Sequence, residues 1–551
     1  MPDCKQCNNG FEVTDADKAF YSKVSPVFNG KKFLVPEPDL CPDCRQIARL
    51  QWRNERALYS RKCAMCSKPV IAMYAPESPF TVQCYDCWWS DKRDPLSYGR
   101  DFDFSRPFFE QFHDLLKAVP KGCLLNFVVD NSEYCNFTNE SRNCHLCYGT
   151  GYMEDCLYMD WTYHGKDTLD CSYCTNFELG YMNVDCNDSY NCKFCQDCNN
   201  VSDCQYSFDL RNCKNCFGSA GLRNKEYFIF NKPYSKEEYT MMMLRLEDPK
   251  NAAMALAEFN QIKLSIPRHA SRIVNSENCS GNYILNSKNA THCYDGVGLE
   301  DCQYMCDVFK GKDSMDTNRT GEAELTYLTA GGGYYRNVLY TAISCDFKDG
   351  MYSYECCFSK NAFGCVGLNH NEYCILNKKY SPDEYNSLVP KIIEHMQETG
   401  EWGQFLPSAI SPFAYNESLA QEFSPSTKEA GLSDGFRWRD PDKRDYKPQT
   451  YQVPANIKDV PDSIVSEVLA CRKTGRNFRI TPQELKFYRK QELPIPDLCP
   501  DERYKERLSL KTPRKLWDRK CVKCQADIQT SYSPDRPEVV YCESCYLKEV
   551  Y

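Results

Sequence analysis

Residues 170–204 read DCSYCTNFELGYMNVDCNDSYNCKFCQDCNNVSDC, and every cysteine in them stands at a position divisible by three. The rule extends outward without exception through all fourteen cysteines between Cys123 and Cys216. A strand repeats every two residues and a helix every 3.6, so neither produces this pattern. It predicts a chain wound into stacked coils whose length is a multiple of three, in the manner of hexapeptide-type β-helices. The pairs Asn143-Cys144, Asp155-Cys156, Asp170-Cys171, Asp185-Cys186, Asp203-Cys204 and Asn212-Cys213 suit the corners. Asn and Asp tolerate tight turns, and cysteine is small enough to face into a narrow coil.

A second, less regular array spans 279–374. Cys356, Cys365 and Cys374 are nine apart, as are Cys293 and Cys302, but other cysteines fall out of phase and Thr320–Gly333 reads as an insertion. Both arrays finish alike: FGSAGLRNKEYFIFNKPYSKEEY (217–239) aligns with FGCVGLNHNEYCILNKKYSPDEY (363–385). Each closing segment offers a strand and then a capping box, Ser235/Glu238 or Ser381/Glu384, that opens a helix. A strand and helix closing a coil stack form a terminal cap. The fold class expected is mainly β with short helices, two tandem cysteine-rich β-solenoid-like arrays lying between cysteine-paired end modules.

Those end modules are copies of one another. The first carries four CxxC pairs, Cys4/Cys7, Cys41/Cys44, Cys63/Cys66 and Cys84/Cys87. One tight turn aims both sulfurs of such a pair at one ion, and Zn²⁺ takes four ligands in a tetrahedron. LCPDCRQIARLQWRNERALYSRKCAMC (40–66) aligns without a gap to LCPDERYKERLSLKTPRKLWDRKCVKC (498–524), with thirteen identities in 27 positions. FEVTDADKAFY (11–21) likewise matches FRITPQELKFY (478–488). In the copy Cys7 becomes Thr474 and Cys44 becomes Glu502, whereas Cys521, Cys524, Cys542 and Cys545 all persist. Two ligands vanish together and four stay together. The expected grouping is therefore Cys4, Cys7, Cys41 and Cys44 in one site, Cys63, Cys66, Cys84 and Cys87 in a second, and Cys521, Cys524, Cys542 and Cys545 in a third. That makes about three Zn²⁺ per chain, with Cys471 and Cys499 left as buried thiols.

The rest of the sequence bounds the function. Of 551 residues, 37 are cysteine and seven histidine, so an abundant metal site must be thiolate-based. The start, MPDCKQCNNGFEV, has neither the basic nor the apolar region of a secretory leader. A cytoplasmic protein with reduced thiols, bound to metal or buried, is expected in preference to a disulfide framework. No run approaches the roughly 20 apolar residues of a membrane helix. Net charge is −9, which disfavours coating nucleic acid with the whole surface. Base is nonetheless concentrated between the knuckles. Arg45, Arg49, Arg53, Arg56, Arg61 and Lys62 give residues 45–62 a local +5, and residues 503–520, with Arg507, Arg514, Lys515, Arg519 and Lys520, carry +6. With Trp52, Tyr59 and Trp517 interleaved, these segments are candidates for contact with RNA, DNA or the ribosome, or for docking on the acidic body of the chain or on another protein. The run Cys192, Cys195, Cys198 with Cys204 is a further candidate metal site, distantly like a ferredoxin motif; Asn199 and Gln205 stand where proline would follow, so an iron–sulfur cluster is not expected. There is no Walker A loop and no HExxH. A non-enzymatic zinc-binding scaffold is the leading expectation, with an iron–sulfur or thiol redox protein, or a metal store, as the alternative.

In chain order the expected organisation is an N-terminal module (1–90), a helical connector (91–122) with an apolar stripe at Phe108, Phe109, Phe112, Leu115 and Leu116, a first array with its cap (123–262), a second with its cap (263–399), a linker (400–465) and a C-terminal module (466–551).

The CxxC, FEVTDADKAFY and LCPDCR segments resemble a zinc-ribbon domain found across bacteria. Together with WRNERALYSRKC, WWSDKRDPLSYGRDFDFSRPFFEQF and LRNKEYFIFNKPYSKEEY, they make most of the chain similar to a family of cysteine-rich zinc-ribbon proteins of candidate-phyla-radiation bacteria. The resemblance implies zinc, a bacterial cytoplasm and this architecture. It implies no reaction.

Overall fold

The computed structural model describes residues 1–246, 249–442 and 445–550. Its centre is a parallel β-solenoid with a coil of twelve residues: Thr175 pairs with Asn187, Asn187 with Asn199 and Asn199 with Arg211. The triplet rule is written in the backbone. From Val128 to Phe230 a residue in the left-handed region recurs at every third position, including all six Asn or Asp corner residues named above. Each coil therefore has four corners, and the residue after each corner points inward. Those inward residues are the cysteines, with Met153, Met159, Phe177, Val201 and Leu210, and they form one buried core.

Residues 279–374 build the same coil. Leu299 pairs with Gly311 and Cys345 with Cys357, again twelve apart. One eleven-residue step near the start, where Glu277 bridges Lys288, shifts the phase by one. From Tyr283 onward the spacings between left-handed positions are again multiples of three, through Leu325, Leu328 and Gly331. Thr320–Gly333 is thus regular coil and not an insertion. Its inward positions hold Thr320, Thr326 and Thr329, so cysteine spacing could not reveal it. Cys345 and Cys357, in register on an outer column, form a disulfide with Cα atoms 4.6 Å apart. The sequence expectation of thiols alone misses this bond, because only the coil length shows that side chains twelve apart lie within disulfide reach.

The caps are as the aligned endings imply. Glu226–Ile229 turns back on Lys232–Pro233 and leads into the helix Lys236–Leu246; Glu372–Ile375, Lys378–Lys379 and the helix Pro382–Glu398 repeat the arrangement. Ser381 and Glu384 close a capping box, and Ser235 and Glu238 make the same reciprocal bonds.

The chain forms two compact units, and they do not follow chain order. One contains Met1–Leu124, Ser271–Asp440 and Arg514–Leu516, the other Leu125–Ala270, Pro441–Pro513 and the residues from Trp517 onward. The N-terminal module folds with the second array, and the C-terminal module with the first. The helix Phe108–Ala118 lays its apolar face on the second array, where Phe108 meets Tyr352 and Phe363. Residues 400–465 are not a free linker. Trp402, Leu406, Tyr415 and Leu419 are buried in the first unit, and Ile457, Val460 and Ile464 in the second; residues 443 and 444 lie outside the description. Isolated apolar residues among Pro, Gly and Ser read as a loop, yet Tyr415 and Leu419 pack on Leu50 of the N-terminal module, and Ile457, Val460 and Ile464 join a core shared by the first array and the C-terminal module.

Candidate metal centres

Each metal-binding candidate joins a knuckle to the first turn of a helix. In the first, the turn after Cys4 closes with Asn8 N–H donating to the Cys4 carbonyl, and Asn8 takes the left-handed conformation. Cys41 caps the helix Pro42–Leu50 and Cys44 lies in its first turn. In the second, the hairpin Tyr59–Lys62/Pro69–Ala72 carries Cys63 and Cys66 at its turn, and Cys84 caps the short helix holding Cys87. The third repeats the second, with the hairpin Trp517–Lys520/Asp527–Thr530 and the helix Glu543–Val550.

All four sulfurs of each set lie within 4.8 Å of one another. Cys7–Cys41, Cys66–Cys84 and Cys524–Cys542 are each 3.7 Å apart. Four sulfurs at about 2.3 Å from a central Zn²⁺ would be about 3.8 Å apart, so the sets fit a tetrahedral ion. The leading cysteine of the second and of the third set also favours thiolate. Burial raises the Cys63 thiol, but backbone N–H groups of Cys84, Cys66 and Met65 outweigh it and bring it to about 6. The N–H groups of Cys542, Cys524 and Lys523 do the same for Cys521, also to about 6.

Among the described residues, these are the groups in which three or more ligand atoms converge. Cys471 and Cys499 remain a pair of buried thiols; beside them Thr474 has replaced a ligand, and Glu502 turns to Lys505 at 2.7 Å. Cys192, Cys195, Cys198 and Cys204 do not converge either, which corrects the reading of that run as a metal tetrad. The first three point inward from successive corners of one coil, and Cys204 lies one coil beyond Cys192. Their sulfurs donate to carbonyls, as Cys195 does to Lys193 and Cys204, each at 3.4 Å.

The basic segments are used inside the molecule. Arg45 and Arg49 both clamp Asp316, at 2.7 and 2.8 Å, with all three side chains no more than 5% exposed. Arg49 also donates to Asn318 at 2.8 Å. In the copy, Arg503 and Arg507 clamp Asp170 at 3.0 and 2.6 Å, and Arg507 donates to Ser172 at 3.2 Å. Asp170 and Asp316 are 146 residues apart, which is also the offset between the two array endings. The rings beneath match as well: Arg45 lies over Tyr304 and Arg503 over Tyr158, while Tyr21 meets Tyr327 and Tyr488 meets Tyr181. The same module docks on the same array surface twice.

The remaining bases follow suit. Arg53 pairs with Glu55, which also holds Arg319, and Arg514 reaches Asp307 at 2.6 Å. Arg61 donates to the carbonyls of Tyr74, Ala75 and Phe80, and Arg519 to those of Tyr532 and Ser533. Arg56 is half-buried, and Lys62, Lys515 and Lys520 are exposed, Lys520 beside Asp527 at 2.7 Å. Trp52 is buried with its N–H on the Leu406 carbonyl, so it offers no stacking face. As a phosphate-binding surface, Arg45, Arg49, Arg53, Arg507 and Arg514 are corrected: their charge is spent on buried carboxylates. Sequence reading placed Asp170 at a corner and Arg503 in a basic segment but missed that they pair, and missed Asp316 and Asp307 altogether; the signal for Asp170 and Asp316 was their shared offset of 146 in the two arrays.

No helix among the described residues is long and apolar enough to cross a membrane. Comparison with protein-family models gives no match, and comparison with curated proteins gives none either. Fold and sites together define a β-solenoid protein with three four-cysteine groups able to hold metal ions.

Proposed function

We propose that the chain is a non-enzymatic scaffold in which three Zn²⁺ ions stiffen the end modules, each module being clamped to one coil stack, so that the outer columns of the solenoid form a fixed interaction surface. The observation that carries this reading is the four-sulfur closure of every candidate centre, with 3.7 Å between paired sulfurs and the sets completed by protein ligands alone. Such a set leaves no position for a water or substrate, which separates structural zinc from catalytic zinc. A protein partner is favoured over nucleic acid, because the arginines that would grip phosphates already hold Asp316, Asp170 and Asp307. The cytoplasm and a zinc-ribbon ancestry belong to the same proposal, on the strength of thiol abundance and the duplicated knuckles.

The test is a binding series with the full chain, using single-stranded RNA and duplex DNA at 50 and 200 mM salt. Little or no binding at either salt supports the protein-partner reading. Tight binding that weakens steeply with salt overturns it in favour of nucleic acid.

A further inference from the structure

The lumen of the first array holds a feature that packing does not require. Cys174, Cys186 and Cys198 stack in one column and Cys192, Cys204 and Cys216 in another. Cys195 bridges the columns within one coil, and Cys171 and Cys213 extend the ends. Each thiol is followed either by the one stacked on it a coil further on or by the one at the next inward place of its own coil, in the order 171, 174, 186, 198, 195, 192, 204, 216, 213, as one series of nine within a single buried core. The second array shows what the coil itself needs. At the positions 146 residues further on, none of the nine is cysteine; Thr317, Thr320, Val338, Thr341, Ser344 and Ala362 fill the same inward places, fully buried. Threonine, valine, serine and alanine close the coil as well as cysteine does, so packing alone does not call for sulfur at these places.

That chemistry is restricted by geometry. No three of these sulfurs converge within 4.8 Å of one another, so the lumen offers no four-sulfur set for zinc. A line of thiols suits a soft ion content with two ligands, and thiolate selects monovalent copper over the harder divalent ions. We infer that the thiol chain of the first array is a binding site for Cu(I), distinct from the three terminal tetrads. Binding replaces the S–H bonds that now point to backbone carbonyls. Two thiols lose two protons to solvent for each Cu(I) set between them, and the copper does not change oxidation state. Where successive ions share a sulfur, one proton leaves per ion and the buried charge per ion approaches zero, which limits the desolvation cost.

The experiment measures copper and zinc per chain, by elemental analysis, in full-length protein purified anaerobically from copper-supplemented cells. The expected result is zinc unchanged and about four to eight Cu(I) per chain, the lower figure for one ion to every two thiols and the upper for successive ions that share each sulfur. A C192V/C195T/C198S variant, carrying the residues the second array uses at those places, cuts the chain in its middle and should lower copper at least twofold with zinc unaltered. The reciprocal V338C/T341C/S344C variant should gain copper, so a misfolded first variant does not leave the matter open. Copper absent from the wild type, copper bound only as zinc is lost, or equal copper in wild type and both variants would overturn the inference.

Discussion

A single carboxylate carries the docking of each module. Asp316 is at once a coil corner, at φ 55°, and the shared acceptor of Arg45 and Arg49; Asp170, at φ 53°, serves Arg503 and Arg507 in the same way. Removing one member of a buried ion cluster leaves uncompensated charge and costs about 3–5 kcal/mol. Asp316→Ala or Asp170→Ala should therefore lower the denaturation midpoint of the full chain far more than Asp349→Ala at another, exposed corner. The corners themselves hold a milder test. Val128 takes φ 50° while 72% exposed, a conformation that a β-branched residue adopts only under strain. Val128→Asn should stabilise by about 1 kcal/mol, read as a rise in melting temperature. The corner pattern was legible in sequence, because Asn and Asp precede the cysteines so often. The clamps were not, since a run of arginines looks the same whether it faces water or a buried aspartate.

At the scale of elements, the knuckle and the helix it leads into are the repeated part, and loss of ligands in one copy can be read as an experiment already done. The C-terminal module keeps its first knuckle fold without two of the four sulfurs: Gly475 N–H still closes on the Cys471 carbonyl, and Cys499 still caps the helix Pro500–Leu510. The clamp from that helix persists too. Metal is thus dispensable at this position once Arg503 and Arg507 are docked. Thr474→Cys with Glu502→Cys should restore a fourth tetrad and raise zinc by one per chain, whereas Cys524→Ser with Cys542→Ser should lower it by one, both read by elemental analysis. Pairing of the cysteines into tetrads was legible because ligands disappear in sets. The continuity of the second array was hidden, because Thr, Ser and Gly replace cysteine along its inward face without altering the coil.

For the whole molecule, the decisive fact is that one building block, a knuckle module with a coil stack, occurs twice in one chain and that each module belongs to the array remote from it in sequence. Duplication could be read from aligned residues; the exchange of partners could not, because no local pattern says which of two similar surfaces a module will choose. Solenoid stability is a sum over neighbouring coils and does not depend on metal, whereas on the proposed reading the end modules depend on the ions that their cysteine groups would hold. Stripping metal with a strong chelator should consequently raise proteolytic cleavage within residues 1–90 and 517–550 while the coiled segments 126–230 and 283–376 stay resistant, observable by mass spectrometry of the fragments.

The most direct measurement is the zinc content of the full chain purified without added metal or chelator. Three zinc ions per chain, falling to two when Cys521 and Cys545 are replaced by serine, is the expected result. A chain that contains no zinc yet keeps its end modules folded and protease-resistant would contradict the central claim that thiolate-held metal builds them.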